Sequence, residues 1–440
     1  MAGAPGSGGI AGGPGAAGAG VGGKAPAAGG APAMGGQTGA GGGPGAGGAA
    51  TCGDAGSPCC AGNACSGDLA CLNGTTCSCV KSLAGRYVIR TDGALLHEAD
   101  PTSTAQTPVL DASTGLPLTG MTSVQEGAFH GCGVQAATKT AWCWRTGSYG
   151  NAYGQLGNGM TDSLTTAFQA TQVLTAASTP LTNVTGIADG EVPYNGSGSA
   201  SSCALRGDGT LYCWGSLDYL TNGGTDLTSA YAVPITTDGV TPFTGVVQAS
   251  VYAQGAYACA IVQAATKQLW CWGRNASGYL GLGDTTTRRY PTQVLGVDDP
   301  VKTVVHDYYG STCLLDGTKV RCWGYNGYGE VGNGTTNSPV MSPTVVTLAG
   351  GTTALDNIVD LHGGDESSLA NFCGLSASHT VLCWGRDYQS YPTDFGVTKV
   401  VALGGTGNYI RYLTDDGLYH HGSMSNHVGV TRVPNCGPLH

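Results

Sequence analysis

From residue 81 to the C-terminus, short runs of β-branched, aromatic and aliphatic residues alternate with turn signals, the pattern of successive β-hairpins. The clearest unit is Cys203-Ala204-Leu205-Arg206-Gly207-Asp208-Gly209-Thr210-Leu211-Tyr212-Cys213-Trp214-Gly215. It returns at Cys132 to Trp144, Cys259 to Trp272, Cys313 to Trp323 and Cys373 to Trp384, with successive tryptophans 51 to 70 residues apart. Two degenerate copies flank these, Tyr87 to Glu98 around Asp92-Gly93 and Arg411 to His421 around Asp416-Gly417, so seven hairpins are expected.

The cysteines set the register. Cys203 and Cys213 are symmetric about Asp208, so a three-residue loop with Gly209 in the left-handed position places them opposite one another. Cys313 and Cys322 are symmetric about Gly317-Thr318, a two-residue loop with glycine first. Opposed residues of an antiparallel pair lie roughly 4.5–5.5 Å apart, within disulfide reach. Five bridges are therefore expected, Cys132–Cys143, Cys203–Cys213, Cys259–Cys271, Cys313–Cys322 and Cys373–Cys383. Strand alternation sends the residue after each second cysteine to the other face, and that residue is always tryptophan. Those five tryptophans are expected in the core. Upstream of each hairpin lie two more extended runs, for example Thr292 to Leu295 and Val301 to Val305, which gives four strands per unit. Seven such units predict an all-β, seven-bladed β-propeller over residues 81–440.

The remaining chain divides by composition. Residues 1–51 are expected to form a disordered tether: the first 50 hold 22 Gly, 15 Ala and 5 Pro. A chain of that length reaches about 40 Å, from roughly 5–6 Å times the square root of the residue number. Residues 52–80 carry Cys52, Cys59, Cys60, Cys65, Cys71, Cys77 and Cys79 with hardly a hydrophobic residue between them, so cross-links must hold this small disulfide-rich module. Zinc is disfavoured there, because the segment has no histidine and no C-x2-C pair. The segment resembles the double-cysteine modules of Dickkopf-type secreted proteins. The eighteenth cysteine, Cys436, stands four residues from the C-terminus. If each blade takes both companion strands from upstream, the first hairpin has no room for them. Val428 to Val433 is then expected to complete the first blade, with Cys436 bridged to the module.

The 440 residues include only 10% charged positions and sum to a net charge of −10, which disfavours nucleic acid as a partner. No run is long and apolar enough to insert in a membrane. Eighteen cysteines in repeated spacings point to an oxidising compartment, hence an extracellular or cell-surface location with an export signal expected upstream of residue 1.

Asn151-Ala152-Tyr153-Gly154-Gln155-Leu156-Gly157, Asn275 to Gly281 and Asn326 to Gly332 share an Asn-x-x-Gly-x-aliphatic-Gly frame after a blade tryptophan, lost after Trp214 and Trp384. On these motifs the chain resembles the regulator of chromosome condensation repeat family, of a secreted or surface bacterial type. The resemblance implies a propeller. The nuclear member's exchange activity is not carried over to an acidic, cysteine-paired chain; extracellular propellers such as the secreted inhibitors of β-lactamase are the closer analogue.

The expected function is a monomeric binding or interaction module that recognises an extracellular protein or glycan through one propeller face, without cofactor, metal or catalysis. Tyr149, Tyr219, Tyr279, Tyr325 and Tyr388 follow blade tryptophans on one face and are the candidate contacts, since tyrosine offers rigid amphipathic area at low entropic cost. Tyr153 and Tyr328 compete with that reading as plugs of the turn. A propeller lyase or hydrolase is the first alternative and an architectural surface protein the second. Against the enzyme, the histidines do not converge: the positions equivalent to His130 are Ser201, Tyr257, Ser311 and Asn371, while His306, His362 and His379 fall at other offsets.

Overall fold

A computed structural model describes residues between 70 and 421, apart from 73–75, 79, 85–86, 91–92, 99–105, 127–129, 147–150, 162–165, 190–200, 218–227, 253–255, 307–309, 364–370, 387, 395, 407–408 and 415–416. The tether, most of the cysteine module, Tyr149, Tyr219, Val428 to Val433 and Cys436 lie outside the described residues. Of the module, a hairpin is described in which Cys71 stands opposite Cys77.

Among the described residues every regular element is a strand, and seven sheets of three to five strands follow one another along the chain. Sheet one comprises Val80–Ala84, Tyr87–Arg90, Leu95–Glu98 and Gln106–Pro108. Sheet two comprises Met121–Glu126, His130–Gln135, Thr140–Arg145 and Gln169–Gln172, with Leu110–Asp111 added in parallel at its outer edge. Sheet three is Val184–Asp189, Ser201–Arg206, Leu211–Ser216 and Thr228–Pro234. Sheet four is Val246–Tyr252, Tyr257–Gln263, Lys267–Gly273 and Arg288–Val294. Sheet five is Pro300–His306, Ser311–Asp316, Lys319–Gly324 and Val340–Val345. Sheet six is Ile358–Gly363, Asn371–Ser376, Val381–Gly385 and Thr393–Asp394. Sheet seven has Val400–Thr406, Tyr409–Thr414 and Gly417–His421. The first strand of each sheet packs beside the first strands of its neighbours, and Val80–Ala84 of sheet one also lies against Val400–Thr406 of sheet seven.

The hairpins stand in the expected register. Cys203 faces Cys213 with Gly209 at φ +77°, and Cys313 faces Cys322 with Gly317 at φ +64°. All five bridges are formed, their Cα atoms 4.0 or 4.1 Å apart, closer than ordinary strand pairing led one to expect. The five tryptophans after the second cysteines are 0–1% exposed.

One expectation is corrected. The extended runs before a hairpin do not both join it: Arg288–Val294, which contains the Thr292 run, pairs back with Lys267–Gly273 of sheet four. Each four-stranded sheet is thus one strand before the hairpin, the hairpin itself, and one strand after it. Sheet one then needs a single upstream strand, and Val80–Ala84 supplies it from the last residue assigned to the cysteine module onward. No C-terminal strand is required to complete that sheet, so the strand-closure argument for placing Cys436 beside the module falls away; Cys436 itself lies outside the described residues.

Because each bridge closes a loop of about ten residues, it restricts the unfolded chain modestly, by about 2.5 kcal/mol in the loop-entropy estimate. Replacing Cys203 and Cys213 together by Ala should lower the unfolding free energy by about that amount in denaturant titrations. An unchanged midpoint, or free thiols at these positions in the unreduced parent, would contradict the pairing.

Candidate functional site

Two regions gather polar chemistry: the loops that follow the tryptophans, and the channel bounded by the first strands.

In the loops, one asparagine does the same work three times. The Asn151, Asn275 and Asn326 side chains are fully buried, and their Oδ1 atoms accept the backbone N–H of Leu156, Leu280 and Val331 at 2.9–3.0 Å. Their Nδ2 groups donate to carbonyls nine to eleven residues on, those of Met160, Asp284 and Thr286, and Thr335 and Asn337. The loop so formed reaches the next sheet. Trp214 Nε1–H donates to the Gln155 carbonyl, Trp323 to that of Tyr279 and Trp384 to that of Glu330, at 2.8–3.0 Å. Gly157, Gly281 and Gly332 hold φ of +62° to +70°, and a Cβ there would come within 2.8–2.9 Å of the same indoles. Only glycine fits both the conformation and the space.

These loops decide where the tyrosines go. Tyr279 is a packing residue: its ring stacks on Tyr257 at 5.2 Å and joins the core under sheet four. Tyr388 is half-buried and packs against the core of sheet six, while Tyr153 is half-buried in its turn. Tyr328, weighed in the sequence as a plug, is instead 39% exposed, with the Arg386 guanidinium 4.6 Å above its ring and half-buried Tyr325 at 6.1 Å. Gly334 N–H donates to the Ser390 carbonyl, so the Asn326 loop and the 388–391 segment of the adjoining sheet form one surface. Of the five tyrosines named from the sequence, the structure brings Tyr325 and Tyr388 to this surface and assigns Tyr279 to packing.

The channel holds residues that sequence reasoning missed. In every first strand the pairing register shifts after the first residue, leaving Lys81, Thr122, Thr185, Val247, Val301, Val359 and Val401 as the bulged second residues. Counted from that bulge, the next position holds Ser82, Ser123, Gly186, Gln248, Lys302, Asp360 and Ala402, a largely polar tier. Histidines counted from the cysteines scatter, whereas first strands counted from their bulge converge. Lys302 Nζ donates to Asp360 Oδ1 at 2.6 Å, and His362 Nε2 lies 3.1 Å from Asp360 Oδ2 and 3.3 Å from Lys302 Nζ. Asp360 is partly desolvated, which opposes ionisation, but His362 and Lys302 prevail and hold it well below the usual carboxylate range. Burial, with Lys302 beside it, lowers the His362 imidazole pKa despite the raising effect of Asp360. With Asp360 ionised and His362 neutral, the favourable tautomer carries its proton on Nε2 and donates it to Asp360.

Apart from the channel, His130 sits wholly buried between sheets two and three, its Nε2 2.5 Å from Ser202 Oγ, and burial pushes its pKa down to about 4.

Residues 268–313 match the Regulator of chromosome condensation (RCC1) repeat. Over 160 residues, 35% of this chain, the sequence is 32% identical to the E3 ubiquitin-protein ligase HERC2 of Homo sapiens, and the matched part spans 3% of that ligase. The chain is similar in structure to human WBSCR16, with a TM-score of 0.55 and 16% identity over 75% of this chain and 85% of that one. It is also similar to Prp20p from Saccharomyces cerevisiae, with a TM-score of 0.51 and 14% identity over 74% and 80% of the two chains. The repeat match covers one stretch of the chain, and at such identities the likeness to the two solved structures is one of fold.

Two predictions follow from the buried polar groups. Asn326→Ala removes an acceptor from the Val331 N–H and two donated bonds, so it should destabilise by about 2–4 kcal/mol in denaturant titration. His130 is held neutral in the fold, so the unfolded chain takes up its proton first as the pH falls. Its contribution is therefore complete above about pH 6.5 and is lost as the pH drops towards about 4, on the order of 3 kcal/mol in all. His130→Asn should flatten the fall in unfolding free energy between about pH 7 and about pH 4 relative to the parent; parallel curves would refute the assignment.

Proposed function

We propose that the chain is a binding module, built as a seven-bladed ring, that recognises an extracellular protein or glycan through the face carrying the post-tryptophan loops. The observation that carries this is the exposed Tyr328 under Arg386, with Tyr325 beside it and Tyr388 on the adjoining segment. Tyrosine and arginine, with tryptophan, are enriched among the few residues that dominate the energy of protein interfaces, and a guanidinium already stacked on a ring is pre-ordered for a planar or anionic partner group. Prp20p, which shares the fold, is described by its binding to Gsp1p and histones, and protein binding is the part of that precedent we extend here.

The five hairpin bridges favour a secreted or surface-tethered protein, because such bonds persist in oxidising compartments. Tethered by residues 1–51, a monomer could search its surroundings while attached. A binding role is favoured over a lyase or hydrolase because the groups gathered at Tyr328, among the described residues of this face, are rings and a guanidinium.

The test begins with surface plasmon resonance of the full oxidised chain against fractionated extracellular proteins and a glycan array. For any partner found, Tyr328→Ser combined with Arg386→Ser should weaken binding about tenfold or more while leaving the melting temperature nearly unchanged. Undiminished binding by that variant would place the interface elsewhere.

A further inference from the structure

The channel between the first strands contains a cavity of about 610 Å³ lined from sheets two to six, within the 300–1,000 Å³ typical of small-molecule sites. Its wall combines aliphatic side chains with the polar Gln125, Thr185, Gln248 and Lys302. Val247, Val301 and Val359, the bulged residues of three consecutive first strands, are 47%, 42% and 55% exposed, and Ile187, Leu205 and Leu315 continue the apolar surface inward. Into this wall is set Lys302, which alone is charged among the described residues lining the cavity.

We propose that the channel is a binding site for an amphipathic monocarboxylate, its carboxylate on Lys302 Nζ and its apolar tail along Val247, Val301 and Val359. Charge complementarity selects the head group. The ammonium has three N–H donors and places one on Asp360, so donors remain for a ligand oxygen. Both carboxylate oxygens of Asp360 are engaged, one by Lys302 and the other by His362, which leaves no uncompensated anion there to favour a cationic head group. The valines select the tail: a sugar laid along Val247, Val301 and Val359 would leave hydroxyls against hydrocarbon there, which costs unmade hydrogen bonds. Asp360 and His362 act as positioning residues, fixing the lysine at the wall.

This site is separate from the tyrosine face. Val246, beside the bulge, pairs with Val262 near the hairpin turn, whereas Tyr252 and Gly273 pair with Tyr257 at the opposite end of sheet four, where the post-tryptophan loop departs. The inference therefore goes beyond the surface-binding reading and does not depend on it.

The experiment is calorimetric titration of the full oxidised chain with octanoate, octylamine and acetate. Saturable binding of octanoate at one site is expected, with octylamine silent and acetate at least tenfold weaker. Lys302→Met should weaken octanoate at least tenfold. Since that change strips Asp360 of its cation and can loosen the fold, a second variant keeps the lysine: Val301→Ser with Val359→Ser should bring octanoate close to acetate. Absence of saturable octanoate binding up to about 10 mM, equal binding of octylamine, or octanoate affinity unchanged in either variant would overturn the proposal. Tyr328→Ser with Arg386→Ser should leave the octanoate titration unaltered, so failure of one site is not mistaken for failure of the other.

Discussion

The hydrogen bond from a buried indole to the loop of the preceding sheet is the contact on which the arrangement of sheets depends. A single sheet can bury only part of its apolar surface, and its tryptophan carries a donor that must not be left unpaired in the interior. The loop after the previous tryptophan meets that need at Trp214, Trp323 and Trp384 with a backbone carbonyl, and the left-handed glycine two residues on lets the loop lie flat on the ring. Where the chain lacks a preceding loop of this kind, another group takes the donor: Trp144 donates to the Tyr87 hydroxyl from sheet one. Trp272, after the sheet whose loop has lost the motif, packs edge-on against Phe243 at 5.7 Å. At the Trp214, Trp323 and Trp384 junctions one donor and one glycine thus fix how the loop meets the neighbouring sheet.

This explains why the signature residues are those they are. Asparagine offers both an acceptor for the loop's own N–H and donors for carbonyls further along, so one buried side chain closes the loop at two places. Aspartate would lack the donors. The residue before the second glycine of the frame gives its backbone N–H to the asparagine whatever its side chain, and that side chain need only be apolar and buried, which is why Leu156, Leu280 and Val331 can differ while all remain wholly buried.

The hairpins were legible from the chain because symmetry about a turn is local: cysteines equidistant from a tight turn can scarcely avoid one another. The outer strands were less legible. The run around Thr292 is equally extended whether it pairs forwards or backwards, and only the tertiary ladder with Lys267–Gly273 decides. The tyrosines were read as a class, yet stacking on Tyr257 withdraws Tyr279 while the neighbouring Arg386 keeps Tyr328 at the surface; such partners come from other strands and leave no mark in sequence spacing. The channel cluster escaped for a similar reason. Lys302, Asp360 and His362 stand at no fixed distance from cysteine, because the connection between first and second strands varies in length from sheet to sheet.

Each of the five described disulfides joins cysteines only 9 to 12 residues apart, inside one hairpin. In oxidative folding, the partner of every such thiol is its nearest neighbour along the chain as well as its native mate, so correct pairing precedes assembly of the whole and isomerase-dependent reshuffling is little needed. The same locality makes a repeat transferable. A duplicated or deleted unit brings or takes away its own covalent lock and leaves no orphaned thiol behind, so the number of repeats can drift between descendants without scrambling the oxidation pattern of those that remain.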